Sequence, residues 1–165
     1  MLKLFPLTLL VISLLGCDAK ESDPSKSLSL SMTYRSGNGG SFLVTLKNHS
    51  DAKLDLMLNT SNVEGEFTVS DGKEKGTSFY DKDYLQLLLT SVWFSGRAEL
   101  KPAAEIKWTV ALDQLVYIGA DAKAVTEHSL KGKTISLRLD RLDVIPSSGK
   151  STVSVKAVSN AVKIP

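Results

Sequence analysis

The chain consists of short segments in which apolar and polar residues alternate, separated by clusters of turn-forming residues. Apolar side chains occupy every second position from Leu28 to Met32 and again from Phe42 to Leu46, on either side of the glycine-rich sequence Gly37–Gly40. A period of two is typical of a β-strand that buries one face. The same period returns over residues 54–58, 106–112, 135–139 and 153–157.

Three clusters of turn residues predict how neighbouring strands are joined. The glycine-rich sequence Gly37–Gly40 predicts a first hairpin, and the cluster Asn48–Asp51 predicts a second. Asp71-Gly72 is the strongest two-residue turn sequence in the chain. It follows a strand through Phe67 and predicts a weak partner strand at Lys73–Gly76.

Two segments do not follow the strand period. Ala120–Leu130 predicts a short helix that is capped by Asp121 and ended by Gly132. Tyr84–Phe94 is almost continuously apolar, which fits a buried strand or a buried helix. We favour a strand that bends near Thr90-Ser91.

Short strands at roughly ten-residue spacing, each with one apolar face, predict two antiparallel sheets packed face to face. The predicted fold class is all-β: an immunoglobulin-like antiparallel β-sandwich with one short crossover helix, formed by residues 28–165. A slip of one residue would reverse every side chain of a strand, so the predicted faces can be tested strand by strand. The buried set is Phe42, Val44, Leu46, Leu54, Leu56, Ile106, Trp108, Val110, Ile135, Leu137 and Leu139; the outward set is Lys47, Lys107, Thr109 and Arg138.

The N-terminus is a targeting segment. Lys3 precedes an uncharged apolar run from Leu4 to Leu15, which is shorter than the roughly 20 residues of a membrane-spanning helix. The sequence Leu14-Leu15-Gly16-Cys17 resembles the lipobox of bacterial lipoproteins, in which the signal is cut before the cysteine and the cysteine is lipidated. The resemblance implies a signal peptide at residues 1–16 and a lipid on Cys17; the alternative is an ordinary secretory signal that happens to end in cysteine.

Residues 17–27 are then the lipidated cysteine and a flexible tether, because Asp18–Ser27 is polar, has balanced charge and lacks apolar periodicity. Asp18 directly after the cysteine resembles the inner-membrane retention signal of enteric-type lipoproteins. The implied location is the bacterial cell envelope, with the protein anchored in the lipid bilayer through acylated Cys17. Asp18 favours the inner membrane, facing the periplasm.

The composition argues against nucleic-acid binding, an internal disulfide and a zinc site. The chain has 165 residues and a net charge of +2, which gives no clustered basic excess for nucleic acid. A single cysteine excludes an internal disulfide, and with only His49 and His128 beside it the chain lacks the ligands of a Cys/His zinc site. We therefore expect no cofactor and no nucleic-acid partner.

Part of the mature chain resembles known sandwich domains. The stretches LKNHSDAKLDLMLNTSNVEGEFTVSDG and LKPAAEIKWTVALDQL contain an N-x-S/T turn between two strands and an L-x-P-G-E-type turn before a long strand. They resemble the N-terminal β domain of deuterolysin-type metallopeptidases and the BsuPI-type proteinase-inhibitor sandwich. This sequence departs from the pattern at Pro102–Glu105, where the turn glycine is absent, and we expect no catalytic domain to follow the sandwich. The resemblance implies a sandwich rather than a particular activity.

Catalytic and metal-binding motifs are missing from the sequence. Glu127–Leu130 has one histidine in the wrong order for a zincin helix, and Gly37–Gly40 lacks the lysine of a phosphate-binding loop. The pairs Asp81/Asp83 and Asp140/Asp143 lack the other positions of a calcium loop. We expect no catalytic residue and no metal site.

Aromatic residues near predicted loops are the remaining candidates for a partner surface, although their burial against one another is the alternative. We expect a non-catalytic sandwich that binds another protein of the envelope. Inhibition of a peptidase through a loop, such as the connection from Ser70 to Asp83, is the alternative, and an enzyme ranks third. The predicted binding patch is Tyr80, Tyr84, Trp93, Phe94, Tyr117 and Ile118.

Overall fold

The chain folds as an immunoglobulin-like antiparallel β-sandwich. The computed structural model describes residues 24–57, 63–70, 77–81, 97–117, 124–147, 149 and 151–165. Within these ranges, helices α1 and α2 are each four residues long, and eleven strands form the sheets. In chain order the elements are α1 Pro24–Ser27, β1 Leu28–Arg35, β2 Ser41–Asn48, β3 Leu54–Met57, β4 Val63–Ser70, β5 Thr77–Asp81, β6 Arg97–Leu100, β7 Glu105–Ala111, a 3₁₀ turn Leu112–Gln114, β8 Leu115–Tyr117, α2 Glu127–Leu130, β9 Thr134–Pro146, β10 Val153–Val158 and β11 Val162–Lys163.

The described strands form two antiparallel sheets. The first has the order β1-β2-β7, and the second is built around β9 with the order β6-β3-β9-β4-β5-β8. Val144 of β9 pairs with Leu56 of β3 and with Val153 of β10, so these two strands lie on opposite edges of β9. The 13-residue strand β9 is therefore the central strand of the second sheet, and β11 pairs with β9 along the same edge as β10.

The inner faces of the sheets form the core as the alternation predicts. Ten of the eleven residues predicted to be buried are buried, and Lys107, Thr109 and Arg138 are exposed. Lys47 points outward with its side chain 38% exposed. The prediction was wrong for Ile106, which is only half-buried. It lies near the start of β7, which pairs with β2 alone among the described strands, and it lines an open groove, a position that alternation alone does not reveal.

The first predicted hairpin is confirmed, since β1 pairs with β2 across the glycine-rich sequence. Gly40 adopts a φ of 81°, and a Cβ placed there would lie 2.6 Å from the Tyr34 hydroxyl and 2.8 Å from the Leu112 side chain. That hydroxyl donates a hydrogen bond to Glu127 at the start of α2. Burial, together with this hydrogen bond and the charge of Glu127, raises the pKa of Tyr34 to about 12. Glycine thus permits the hairpin to pack closely against its neighbours.

The second predicted hairpin is wrong. β2 pairs with β1 and β7 in one sheet, whereas β3 pairs with β6 and β9 in the other. The Asn48–Asp51 cluster therefore carries the chain from one sheet to the other. Local turn residues specify a reversal of direction, but they do not specify which strand pairs with which.

The two-residue turn predicted at Asp71-Gly72 is also wrong. Such a turn would pair Val69 with Glu74, but Val69 pairs with Thr77. Strand β5 accordingly replaces the partner strand predicted at Lys73–Gly76, and it interrupts the long connection from Ser70 to Asp83 that the inhibitor alternative uses.

The predicted crossover helix is much shorter than expected. Helix α2 begins only at Glu127 and is capped by Thr126, whose side chain accepts from the backbone N–H of Ser129. Ala124 instead forms a β-bridge with Val116, because its backbone is used by the edge of the second sheet. Gly132 follows the helix with a φ of 75°, as predicted for its end. Tyr84–Phe94 and the predicted cap Asp121 lie outside the described residues.

Candidate functional site

The structure describes only part of the aromatic patch that the sequence predicts. Tyr117 ends β8, is half-buried and packs against the core, which agrees with the alternative that these rings are buried. The backbone of Tyr80 pairs with Val116, whereas Tyr117 pairs with Phe79, so the two tyrosines are not directly opposed. The patch residues Tyr84, Trp93, Phe94 and Ile118 lie outside the described residues.

The predicted lipidation and sorting residues, Cys17 and Asp18, also lie outside the described residues. Where the structure describes the chain, no helix is long and apolar enough to cross a membrane. The first described element is α1, and its buried last residue Ser27 accepts a 2.6 Å hydrogen bond from the backbone N–H of His49, so Pro24–Ser27 belongs to the folded domain and not to the predicted flexible tether. The chain thus enters the sandwich at the end where β2 finishes.

Strand β7 has a hydrogen-bonding edge that no described strand covers, and the direction of its backbone groups follows from its partner. Antiparallel pairs alternate between hydrogen-bonded and non-hydrogen-bonded positions. Asn48 donates from its backbone to Ala104, and Leu112 donates to Gly40, so the even-numbered positions of β7 bond to β2. The N–H and C=O groups of Glu105, Lys107 and Thr109 consequently point away from β2. We call this row of groups the outer edge of β7.

The far end of the outer edge is closed by a side chain. The N–H of Ala111 donates a 2.9 Å hydrogen bond to Oε1 of Gln114, in the 3₁₀ turn that follows. Among the residues with described positions, β7 pairs with β2 alone. The open length of the outer edge is therefore Glu105 to Thr109.

The opposite edge of the same sheet is closed differently. The side-chain amide of Asn160 accepts from the N–H of Met32 at 2.8 Å and donates to its carbonyl at 3.0 Å, which reproduces the pairing of one strand residue. Ser159 pairs in a similar way with Leu137 of β9. The connection between β10 and β11 thereby covers β1, and no described residue does the same for the outer edge of β7.

A tight turn sets the start of β7. The N–H of Ala104 donates to the carbonyl of Lys101 at 3.1 Å, with Pro102 and Ala103 at the central positions. Ala103 has a φ of 59°, the positive value that a type II turn requires at its third residue. This is the position at which the sequence lacks the expected glycine. The turn joins β6 of one sheet to β7 of the other.

A buried amide fixes this turn to the end of β2. Asn48 is fully buried, and its Nδ2 donates to the carbonyls of Ala52, Leu100 and Lys101 at 2.8, 3.0 and 3.2 Å. Its Oδ1 accepts from the backbone N–H and the hydroxyl of Ser50. Asn48 therefore holds together three chain segments around the start of β7.

A groove of about 720 Å³ runs beside this turn. Ala104 and the half-buried Ile106 line one side of the groove, and charged side chains of β3 and β6 form the opposite wall. The groove lies next to the first residues of the outer edge. Its lining residues are Lys53, Asp55, Arg97, Glu99, Leu100, Lys101, Ala104, Glu105 and Ile106.

The charges of the groove are paired with one another. Arg97 contacts Asp55 at 2.6 Å, and Lys53 contacts Glu99 at 3.3 Å. Glu105 contacts Lys107 at 2.8 Å and Lys47 at 3.4 Å, and chiefly the hydrogen bond from Lys107 lowers the pKa of Glu105 below its ordinary value. Exposed pairs of this kind contribute little to stability, because solvent screens the attraction between the charges. They leave the wall polar without giving it a large net charge.

No catalytic arrangement emerges from the described residues. Ser29 lies 2.6 Å from Nε2 of the exposed His49, but no described carboxylate contacts that imidazole as a triad would require. Asp140 pairs with Arg138, and Asp143 pairs with Arg141, so these carboxylates take part in salt bridges of the second sheet. The described part of the chain contains no cluster of three or more metal-ligating side chains.

Sequence reasoning missed the outer edge of β7 because alternation identifies the faces of a strand, not its neighbours. One available signal was the charge of the strand, since Glu105 and Lys107 are typical of edges that are protected from uncontrolled pairing. No other feature of the sequence indicated that Ile106 would be half-buried beside a groove.

Neither a protein-family model nor a curated protein matches this sequence. Similar solved structures include a Bordetella pertussis protein provisionally named ApaA, with 10% identity, coverage of 84% of this chain and 92% of that chain, and a TM-score of 0.40. The structural-genomics target SoR45 has 9% identity, coverage of 87% and 91%, and a TM-score of 0.42. The ASH/PapD-like domain 7 of human CEP192 has 10% identity, coverage of 99% and 100%, and a TM-score of 0.33. Such values are too low to transfer an activity or a partner to this chain.

Proposed function

We propose that the protein is a lipid-anchored envelope lipoprotein whose non-catalytic sandwich binds an extended segment of another protein along the outer edge of β7. The observation that carries the proposal is the outward row of N–H and C=O groups at Glu105, Lys107 and Thr109. An unpaired strand edge is a template for an added strand.

The geometry supports strand addition in detail. An added strand would exchange hydrogen bonds with the three open positions, and its side chains would alternate between the two faces of the sheet. On the inner face they would lie beside the groove, over Ala104 and Ile106. On the outer face they would meet Glu105 and Lys107. Main-chain hydrogen bonds would supply affinity, and the groove would select apolar side chains.

The lipid anchor is supported by the Leu14–Cys17 lipobox. Two or three acyl chains, at about 0.8 kcal/mol per buried methylene, would hold such a protein on a bilayer without a basic patch. Metabolic labelling with a lipid precursor should mark the wild type and should not mark Cys17→Ser. Equal labelling of the two would contradict the anchor.

A proline tests the binding edge when it replaces a residue of β7 whose N–H group makes no hydrogen bond to β2. Thr109 has an outward N–H, so Thr109→Pro should preserve pairing with β2 while blocking an added strand. Thr109→Val retains the N–H and the β-branched shape, and it is the matched control. A photo-crosslinking amino acid at position 107 would report on a bound segment in cells.

We expect the crosslinked adduct to fall at least tenfold in Thr109→Pro and to stay within about twofold of the wild type in Thr109→Val. Urea unfolding midpoints of the purified variants would confirm that both remain folded. An adduct of equal yield in both folded variants would contradict binding along this edge.

A further inference from the structure

The groove and the outer edge of β7 begin at the end of the sandwich where the chain enters from the anchor. Residue Leu28 pairs with Asn48, and the backbone of Asn48 bonds to Ala104 at the groove. These three positions lie side by side on neighbouring strands. At a strand spacing of about 4.8 Å, Ala104 is about 10 Å from the first residue of β1.

The covalent distance from the anchor limits how far this end can lie from the lipid. Cys17 and Pro24 are separated by seven Cα–Cα steps. At about 3.3–3.6 Å for each step, whatever the conformation, a lipidated Cys17 keeps Pro24 within about 25 Å of the membrane surface. With α1 and two strand spacings added, the groove lies within about 40 Å of the anchor at full extension.

From these distances we infer that the segment bound by the outer edge of β7 is a juxtamembrane segment of a protein held in the same membrane. This inference rests on the proposed function. A segment next to a membrane span or a lipid anchor shares the narrow layer in which the groove moves, so its effective concentration at the groove is high. A segment far from the membrane has no such advantage.

The pattern of the edge defines the chemistry of that segment. It is extended, about three to five residues long, with apolar side chains on the face that meets Ile106 and polar ones on the other face. A basic residue fits opposite Glu105 and an acidic residue fits opposite Lys107. This alternation would allow an otherwise polar juxtamembrane segment to use the groove.

A second copy of this chain is a less suitable occupant. Two copies related by a two-fold axis would pair their β7 strands antiparallel. Strand β7 begins at the tether end with Glu105 and runs towards the opposite end. Antiparallel pairing would therefore place the two Cys17 anchors at opposite ends of the pair, which does not suit two proteins anchored in one membrane.

The test combines the crosslinker at position 107 with two insertions between Asp23 and Pro24. A rigid helical insert of about 20 residues would raise the groove by about 30 Å, whereas a Gly/Ser insert of the same length can fold back. We expect the rigid insert to reduce the adduct at least tenfold and the flexible insert to reduce it less than threefold. The crosslinked peptide, identified by mass spectrometry, should lie within about ten residues of a membrane span or lipid anchor.

An adduct that survives the rigid insert, a crosslinked peptide from a soluble protein or a distant domain, or an adduct with a second copy of this chain would overturn the inference. If any of these adducts remains sensitive to Thr109→Pro, the proposed binding edge stands. Absence of any adduct sensitive to Thr109→Pro would overturn the proposed function and this inference together.

Discussion

The buried amide of Asn48 provides the sharpest test of how the two sheets are joined. Its Nδ2 donates to three carbonyls from two other chain segments, and its Oδ1 accepts from Ser50. In Asn48→Ala these groups lose their partners in a site that excludes water. Each buried polar group left unsatisfied costs about 1–3 kcal/mol, so we expect a total loss of about 3–5 kcal/mol.

The variant Asn48→Asp separates the donors from the shape of the side chain. It keeps the volume and the acceptor oxygen but replaces the Nδ2 donor by a charged oxygen that faces the carbonyls of Ala52, Leu100 and Lys101. We expect a loss at neutral pH at least as large as that of the alanine variant. The loss should shrink at acid pH, because a protonated carboxyl can again donate one hydrogen bond.

The matched control is Asn160→Asp, since Asn160 also donates from Nδ2 to a backbone carbonyl, that of Met32, but is exposed to solvent. A loss of about 1 kcal/mol is expected there. Urea unfolding of the three variants at pH 7 would measure these differences. If Asn48→Asp lost no more than Asn160→Asp, the role of Asn48 as the link between the sheets would be wrong.

Three further predictions concern single positions. Ala103→Gly should stabilise the domain by about 0.5–1 kcal/mol, because glycine adopts the positive φ of 59° without the steric penalty that alanine has there. The neighbouring control Ala104→Gly should destabilise the domain. Thermal unfolding should therefore show a higher midpoint for the first variant and a lower midpoint for the second than for the wild type. Trp108→Ala should cost about 3–5 kcal/mol, since the indole is 4% exposed, and an unchanged urea midpoint would mean that its side chain is not in the core. Arg141 holds the pKa of Asp143 below its ordinary value of 3.8, so this carboxylate stabilises the fold above that pH and loses the contribution as the pH falls through the lowered value. Acid unfolding of Asp143→Asn should therefore be less steep than that of the wild type, and identical acid transitions would contradict the assignment.

The features predicted correctly from the sequence are those that depend on neighbouring residues. The alternation from Phe42 to Leu46 placed the right side chains in the core, because side chains of a strand point to opposite faces in turn. Gly37–Gly40 predicted the first hairpin, because the loop needs several positive φ angles. Both features depend on neighbouring residues alone, so they can be predicted without knowledge of the rest of the fold.

The predictions that failed needed information from distant parts of the chain. Asn48–Asp51 has the residues of a tight turn, but its role as a crossing between sheets depends on Leu100 and Lys101, about fifty positions away. The partner of Val69 was misplaced because Asp71-Gly72 is a good turn sequence that the register does not use. The length of helix α2 was overestimated because the backbone of Ala124 forms a β-bridge with Val116.

By itself, the sequence determined the strand faces, the first hairpin and the prediction of a lipid anchor at Cys17, since each of these depends on a few consecutive residues. Tertiary structure alone decided that, among the described strands, β7 pairs with β2 only and that its outer edge lies beside a groove near the entry of the chain. Whether an N–H group is paired depends on which strand comes to lie next to it. For Lys107 and Thr109 that depends on β2 and on the fold as a whole, which no local pattern of residues records.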